Sequence, residues 1–375
     1  MIGSLTPLAP ALTLGAASTD AVPCIAVRAD TPLPEALDSA WLNLHGRPRP
    51  GEALLVPAET PTLLVALGAG GTDRPGSTRL GAAIFNAASG LPDLVLDLET
   101  FAGVDLQGLF EGIILAASRF ARYRSQPRPP RLKGITLAGA APAAAPGAMW
   151  RARAVARGVY VARDLVNEPG SVATAEAIAD LVAGLAAETG FTAEAWGPDR
   201  LRAESFGGLL GVNRGSSAEA RFLVLDYSPP GAGRTLALVG KGVTFDSGGL
   251  NTKNTRDMTR MKKDMSGAAA VIGVFSALRD LGVAQRVRGF IPLTDNMSGP
   301  DAMRPGDVLR IRGGKTIEVL DTDNEGRLVL ADALAYAAEQ SPDAIIDIAT
   351  LTGTVAIAVG RGTAALMGNH DGLMG

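Results

Sequence analysis

Histidine, cysteine and aromatic residues are scarce in this chain of 375 residues. The two histidines, His45 and His370, form no His-Glu-x-x-His zinc motif, and no Gly-x-Ser-x-Gly elbow accompanies them. Cys24 is the single cysteine, which excludes an internal disulfide and favours a reducing compartment. Any transition-metal site must therefore depend mainly on carboxylates.

Charge and hydropathy patterns are equally restrictive. The net charge of −3 and the isoelectric point near 5.6 give no basic footprint for nucleic acid or an anionic membrane. Aromatic residues make up 5% of the chain, too few for platforms that stack single-stranded nucleic acid. Apolar runs end well short of the length of a membrane span. A secretory signal begins with positively charged residues, but no Lys or Arg precedes Arg28 in this chain. We therefore expect a cytoplasmic protein without nucleic-acid or membrane partners.

Strand-like and helix-like patterns alternate along the chain, which indicates an α/β protein. Residues 140–147 carry no charge and contain two prolines, and they predict a linker between domains at 1–146 and 147–375. Repeated β-α-β units in the second domain imply a mostly parallel central sheet flanked by helices. In such sheets, ligands bind beyond the carboxyl ends of the strands. Residues 68–71 lack the third glycine of a dinucleotide fingerprint, so we expect a structural turn there.

The strand and helix patterns give explicit bounds for these elements. The predicted strands are Ala11–Leu14, Cys24–Val27, Ala53–Val56, Leu63–Leu67, Leu94–Leu98, Leu132–Leu137, Phe222–Asp226, Leu236–Val239, Val287–Leu293, Thr316–Leu320 and Ala344–Ile348. The predicted helices are Thr78–Ala88, Leu106–Ala121, Ala148–Leu165, Thr174–Glu188, Gly267–Leu281 and Leu328–Glu339.

The stretch Asp321–Arg327 combines three acidic residues between a strand pattern and a helix pattern. In an extended segment alternate side chains share a face, so Asp321, Asp323 and Glu325 would project together. Three carboxylates on one face repel one another unless a cation lies among them, which points to a multivalent metal. A solvated acidic turn remains open at this stage.

Two motif alternatives concern the same region. Gly314-Lys315-Thr316 ends like a phosphate loop, but the position required for its first glycine is Leu309. The acids from Asp321 to Asp332 are spaced much like those of a calcium-binding EF-hand loop. However, the loop follows a strand pattern where a helix is required, and Asp332 falls within a predicted helix. The phosphate loop is excluded, and the calcium loop remains an alternative.

Upstream, the segment 240–249 is rich in glycine and contains Lys241 and Asp246. Glycines there let the backbone turn tightly and approach a ligand, although a plain connection with an exposed lysine explains the segment equally well. Lys253 and the run Met261–Met265 follow, and this run opens a helix. Its basic pair is typical of a solvated surface, and its aspartate is typical of a helix cap.

Five segments together, in this order and spacing, resemble the leucyl (cytosol) aminopeptidase family. They read GKGVTFDSGG (240–249), MKKDMSGAAAV (261–271), RPGDVL (304–309), DTDNEGRLVLAD (321–332) and ATLTG (349–353). Supporting similarity lies at 111–125 and 162–179.

This resemblance implies a macro-like N-terminal α/β domain and a larger α/β catalytic domain that binds two divalent metals, Zn²⁺ or Mn²⁺. Asp246 and Glu325 would each serve both metals. Asp323 would complete one metal site, and Lys241 and Asp264 would complete the other. A lysine ligates a metal only as the neutral amine, so an adjacent dication must displace its proton.

The resemblance also assigns catalytic and substrate-binding residues. Lys253 would polarise the scissile carbonyl and stabilise the developing oxyanion. Arg327 would hold a bicarbonate ion that acts as general base. Met261, Thr350 and Gly353 would line the pocket for the first side chain of the substrate.

The implied activity is that of an aminopeptidase that releases N-terminal residues, preferentially leucine and other apolar residues. A hydroxide held between the two metals would attack the peptide bond. One metal would bind the free α-amine, which restricts the substrates to peptides with a free N-terminus. Family members of this kind form homohexamers.

The sequence departs from the family pattern in several places. The family usually has Asn at Asp321, Ala at Asn324 and Glu at Asp295. The chain also ends at Gly375, whereas family members continue, so its catalytic domain is expected to be incomplete at the C-terminus. A metal-binding, catalytically impaired or scaffolding relative is therefore the alternative function. Asp321 is not expected to be a ligand, and its extra charge would tighten metal binding or raise the pKa of the bound water.

Overall fold

A computed structural model describes residues 2, 5–7, 9–15, 21–28, 33, 37, 39–57, 60–68, 72–128, 130–140 and 142–375. Its strands are β1 Ala11–Leu14, β2 Val22–Val27, β3 Ala53–Val56, β4 Thr62–Ala66, β5 Asp93–Asp97, β6 Gly134–Ala138, β7 Thr192–Trp196, β8 Arg221–Tyr227, β9 Thr235–Gly240, β10 Gly242–Asp246, β11 Arg286–Asn296, β12 Val308–Arg310, β13 Thr316–Glu318 and β14 Ala344–Ile348. Its α-helices are α1 Ser39–His45, α2 Arg74–Ala88, α3 Leu106–Ala117, α4 Ala145–Asn167, α5 Ala175–Thr189, α6 Pro198–Ala203, α7 Gly207–Asn213, α8 Thr255–Met258, α9 Ser266–Phe275, α10 Glu325–Glu339, α11 Val355–Val359 and α12 Asp371–Met374.

Contacts between described residues divide the chain into two compact units. One contains residues between 3 and 164 together with 273–283, and the other contains 165–272 and 284–375. The composition of the chain places a boundary near 146 instead. Residue 141 of the expected linker and residues 69–71 of the expected glycine turn lie outside the described residues. Helix α4 already begins at Ala145, because Pro146 occupies the first helical turn, where its missing N–H costs nothing.

The first unit contains a six-stranded sheet in the order β1-β6-β5-β2-β4-β3. All neighbouring pairs are parallel except β3 with β4. The core beneath it includes Phe85, Phe101 and Phe110, all of them buried. This sheet agrees with the expected alternation of strands and helices.

Helices α2 and α3 of this unit approach each other closely through glycine. A Cβ atom at Gly81 would lie 2.1 Å from the carbonyl oxygen of Leu109, and one at Gly112 would lie 2.0 Å from that of Thr78. Real Cβ atoms do not approach backbone atoms so closely. The two helix backbones are therefore in direct contact, and a side chain at either glycine would separate them.

The second unit contains a sheet in the order β14-β9-β11-β8-β7, with β10 also paired to β11. Strands β14, β9, β10 and β11 are mutually parallel where they pair, and β8 and β7 are antiparallel. One face of the sheet packs on a cluster of aromatic rings, namely Trp196, Phe206, Phe222, Phe290 and Tyr336. The predicted mixed α/β fold with largely parallel sheets is confirmed. Among the described residues, no helix combines the length and the apolar character needed to cross a membrane.

Three parallel strands of this second sheet end close to residues of chemical interest. Lys241 directly follows β9, Asp246 is the last residue of β10, and Thr350 follows β14 by two residues. The backbone N–H of Lys241 donates to the carbonyl of Ile348, at 3.0 Å, which ties the ends of β9 and β14 together. These three positions therefore lie at one edge of the sheet. This edge is formed by the carboxyl ends of parallel strands, where a ligand site is expected.

Asp332 fastens helix α10 to its neighbours. Its two carboxylate oxygens accept the backbone N–H groups of Leu209 and Arg312, both at 2.8 Å. Burial raises the pKa of Asp332 to about 6, against the opposing effect of these hydrogen bonds. The calcium loop is therefore wrong, because its last acid contacts backbone amides and not the acidic cluster.

Replacing Asp332 with Ala should destabilise the second unit by about 2–4 kcal/mol, because two buried N–H groups lose their acceptors. Urea titration measures the loss, and hydrogen exchange at the Leu209 and Arg312 amides should accelerate. The exposed Asp301→Ala variant is the matched control and should change the free energy of unfolding by less than about 0.5 kcal/mol. Equal stability of the two variants would show that Asp332 does not anchor α10.

Candidate metal centre

The acidic stretch 321–327 does not form the extended strand that its alternation suggested. Residues Thr322–Asn324 form a 3-10 turn, and α10 begins at Glu325. Asp321 caps this turn, because its carboxylate accepts the backbone N–H of Asp323, at 2.9 Å, and the side-chain amide of Asn324, at 3.2 Å. The prediction that the three acids share one face is therefore wrong, and Asp321 positions the turn that carries the other two.

Three carboxylates from two distant segments of the chain converge at this point. Asp246, Asp323 and Glu325 each offer a carboxylate oxygen within 4.8 Å of the other two. Asp246 and Glu325 are buried, with 2% and 1% of their surface exposed, and Asp323 is half-buried. Oxygen atoms so placed form a suitable ligand group for a multivalent cation.

Lys241 lies between Glu325 and a fourth acid, Asp264. Its ammonium is 2.7 Å from Oδ2 of Asp264 and 2.9 Å from Oε1 of Glu325, and all three side chains are buried. Burial alone would lower the pKa of Lys241, but the charges of Glu325 and Asp264 outweigh it and raise the pKa. Gly326 leaves room for this arrangement, since a Cβ atom there would lie 2.7 Å from Nζ of Lys241.

Lys253 occupies the corresponding place between the other two acids. Its ammonium is 2.7 Å from Oδ2 of Asp246 and forms a second ion pair with Asp323. Burial opposes the charge on Lys253, but hydrogen bonds to Asp246 and Asp323 raise its pKa above the ordinary value. Each lysine therefore bridges two carboxylates.

Burial and crowding make the carboxyl groups of this cluster harder to ionise. Burial raises the pKa of Glu325 to about 8, against the effect of Lys241, and the neighbouring charges of Asp246 and Asp264 add to the increase. Burial also raises the pKa of Asp264 and of Asp323. The two lysines therefore do not supply enough positive charge to stabilise these carboxyl groups fully in their ionised form.

The donor set fits divalent metal ions. Four carboxylates face only two ammonium groups, which leaves an excess of buried negative charge. Oε2 of Glu325 is buried and has no hydrogen-bond partner among the described residues, so it is available to a metal. Oxygen donors and one neutral amine can hold Zn²⁺ or Mn²⁺. The residues expected from the sequence therefore form a coherent ligand group.

These residues line a cavity of about 380 Å³. Met261, Thr350 and Gly353, the residues expected to bind the first substrate side chain, line the same cavity. Arg327 is exposed and donates to Oδ1 of Asn324, at 2.8 Å, and Asn324 is itself a lining residue. The structure thus brings together the expected ligands, Lys253 and the expected pocket residues, and it places Arg327 one contact away from the cavity.

Asn296 and Thr322 support the site but were not identified from the sequence. The Asn296 amide donates to Oδ1 of Asp246, at 2.9 Å, which fixes the orientation of that carboxylate. The buried hydroxyl of Thr322 donates to the carbonyl of Gly248, at 2.7 Å, and accepts the backbone N–H of Asn251, at 2.8 Å. Asn296 lies three residues beyond the predicted strand Val287–Leu293 and ends the observed strand β11, so it could have been found as a polar residue at a strand end, whereas Thr322 gives no sequence signal.

Comparison with known proteins assigns this arrangement to a family. The model of the cytosol aminopeptidase family, catalytic domain, matches residues 160–375. A probable cytosol aminopeptidase of Syntrophotalea carbinolica is 40% identical over 92% of this chain and 75% of its own length. The chain spans 43% to 62% of the length of the other curated probable cytosol aminopeptidases with which it was compared.

Solved structures agree with this assignment. The bottromycin maturation enzyme BotP in complex with Mn is 36% identical, with a TM-score of 0.81 over 92% of this chain and 75% of that one. A cytosol aminopeptidase from Coxiella burnetii is 30% identical, with a TM-score of 0.77 over 93% of this chain and 75% of that one. The chain therefore belongs to the cytosol aminopeptidase family.

Proposed function

We propose that this protein is a metal-dependent aminopeptidase that releases N-terminal residues from peptides, preferentially leucine and other apolar residues. The observation that carries the proposal is the convergence of Asp246, Asp323 and Glu325 within 4.8 Å in a cavity of about 380 Å³. Membership of the cytosol aminopeptidase family supports it. The complete donor set favours this function over the catalytically impaired alternative.

Two divalent ions, Zn²⁺ or Mn²⁺, would be held by Lys241, Asp246, Asp264, Asp323 and Glu325. The manganese complex of the related BotP supports Mn²⁺ as one occupant. When bound, such ions activate water as a nucleophile and polarise the scissile carbonyl. Asn296 would keep the Asp246 carboxylate oriented through its 2.9 Å hydrogen bond, as the neighbours of metal ligands generally do.

Lys253 and Arg327 would supply the remaining charges. The ammonium of Lys253 lies at the cavity and is 14% exposed, so it can donate to an oxyanion that develops on the substrate. The exposed Arg327 guanidinium, next to Asn324, would hold a bicarbonate ion, and this ion would supply general-base chemistry beside the cavity.

The cavity would also select the substrate. Met261, Thr350 and Gly353 line it and would accept the first side chain, for which the flexible thioether of Met261 provides an adaptable apolar surface. The free α-amine of the peptide would bind in the same cavity and complete the recognition of the substrate. By family membership we further propose a cytoplasmic homohexamer.

Removing the metals is the direct test. The purified protein should contain two divalent ions per chain by mass spectrometry, and chelation should lower hydrolysis of leucine amide by more than about 100-fold. Adding Zn²⁺ or Mn²⁺ should restore the activity. Hydrolysis that is unchanged after complete metal removal would exclude the proposed function.

A further inference from the structure

Two cations that line the cavity of the metal centre take no part in the ion pairs of its acids. Its lining includes the four carboxylates already described, and each of these is paired with Lys241 or Lys253. Two further cations, Lys263 and Arg361, line the same cavity. They therefore add positive charge to the cavity without being tied to the acidic cluster by ion pairs.

Neither of these cations is engaged by the protein. Both are exposed, and within the described part of the chain neither side chain has a hydrogen-bond or ion-pair partner. The adjacent Lys262 provides a contrast, because its ammonium donates to the backbone carbonyl of Asn167, at 2.5 Å. Of the basic pair that precedes Asp264, one member is therefore held by the backbone and the other lines the cavity.

The two cations come from separate segments of the chain. Lys263 ends the 3-10 turn Met261–Lys263 immediately before Asp264, and Arg361 follows α11 after Gly360. Gly360 has a φ of +84°, a conformation that favours glycine and turns the chain after the helix. Met261 and Gly353, from the same two segments, line the cavity as well.

We propose that Lys263 and Arg361 bind a carboxylate of the peptide substrate, so that of two peptides of the same shape the enzyme favours the one with an acidic group close to the scissile bond. The proposal rests on the proposed aminopeptidase function. The carboxylate can be the side chain of an acidic first residue or the free C-terminus of a dipeptide. Both present the planar pair of oxygens that a guanidinium or an ammonium recognises.

The electrostatics of the cavity favour this assignment. Each acid already pairs with Lys241 or Lys253, and under the proposed function with metals, and none of them forms an ion pair with Lys263 or Arg361. A substrate carboxylate would find two charged donors in a partly enclosed site, where charge-assisted hydrogen bonds are stronger than on an open surface. The expected preference over an uncharged isostere is about 10-fold.

Four peptides separate the two sources of the carboxylate. Leu-Ala and Leu-Ala amide differ only at the C-terminus, and Glu-Ala amide and Gln-Ala amide differ only in the first side chain. For each pair the measurement is the ratio of kcat/KM for the acidic and the neutral peptide. At least one ratio should be about 10 in the wild type and close to 1 in the double variant Lys263→Met, Arg361→Met. The pair that responds identifies the source.

Lys315→Met is the matched control, because Lys315 is an exposed lysine outside this cavity. It should leave both ratios unchanged. A purely structural effect of the double variant would lower the acidic and neutral peptides equally and leave the ratios unchanged, which would overturn the proposal. Higher salt should also reduce the responding ratio in the wild type.

Failure of the proposed function is distinguishable from failure of this proposal. If the metal-loaded wild type hydrolyses none of the four peptides, the function is wrong, and calorimetric titration with the same peptides still measures the preference. Tighter binding of an acidic peptide that the double variant loses would support the carboxylate site. Equal affinities within both pairs would overturn it.

Discussion

Replacing Glu325 with Gln should lower kcat/KM for leucine amide by more than about 100-fold. Even neighbours of metal ligands cost 10- to 100-fold when they are changed, and Glu325 is proposed to contact both metals. The amide keeps the shape of the side chain but removes a charge from the most buried carboxylate of the cluster, and it replaces one of the two oxygen donors with an NH2 group that cannot bind a metal. Mass spectrometry of the purified variant should find fewer than two divalent ions per chain.

The comparison for this variant is Glu318→Gln, on strand β13. Glu318 is exposed and is the last residue of that strand, so its charge does not contribute to the cluster. It should retain full metal content and activity. A Glu325→Gln protein with two metals per chain and wild-type turnover would contradict the proposed role of Glu325. Circular dichroism at matched concentration confirms that both variants are folded.

The second large effect concerns packing and does not depend on the proposed function. Gly112→Ala should destabilise the first unit by about 1–3 kcal/mol, because the new Cβ atom would lie 2.0 Å from the carbonyl oxygen of Thr78. The nearby atoms belong to the backbone of α2, including the Ala82 nitrogen at 3.0 Å, and cannot rotate away. Glycine-to-alanine changes in helices ordinarily stabilise by up to about 1 kcal/mol, so the expected sign is reversed.

Gly184→Ala provides the opposite case in helix α5. Gly184 is exposed, and a Cβ atom there would meet no atom within 4 Å. This substitution should stabilise the protein by about 0.5–1 kcal/mol through helix propensity alone. Hydrogen exchange resolved by peptide should show faster exchange in α2 and α3 for Gly112→Ala and slower exchange in α5 for Gly184→Ala. Stabilisation by Gly112→Ala would show that the two helices can move apart at no cost.

The elements of the fold were largely predictable where the apolar pattern is local. Strands Ala53–Val56 and Ala344–Ile348 have the bounds that the sequence predicts. Strand β10 was missed, because its glycine-rich surroundings are typical of a turn and its extended form depends on pairing with β11. Helix α9 ends at Phe275, earlier than the apolar run suggests. Pairing partners that are distant in sequence leave no local pattern, which explains why β10 was missed.

The site was predictable in its composition but not in its contacts. Asp323 and Glu325 drew attention as neighbouring acids, while Lys241 and Asp264 were identified only through the family resemblance. No local rule places Lys253 between two acids that lie on different segments. The alternation of acids gave a wrong prediction, because a 3-10 turn replaces the expected strand. In this turn the carboxylate of Asp321 accepts the backbone N–H of Asp323. Turns of this kind are stabilised by tertiary contacts such as those of Thr322, which a local pattern does not contain.

The bridging lysines also have a consequence for the order of events during biosynthesis. Small zinc-binding domains remain unfolded until the metal arrives, because the free energy of metal binding is what drives their folding. Here Lys241 and Lys253 already stand between the acids and neutralise part of their charge. Under the proposed function, we therefore expect the newly made chain to complete its fold first and to acquire its ions later. Metal supply would then determine when a molecule becomes active, and not whether it folds.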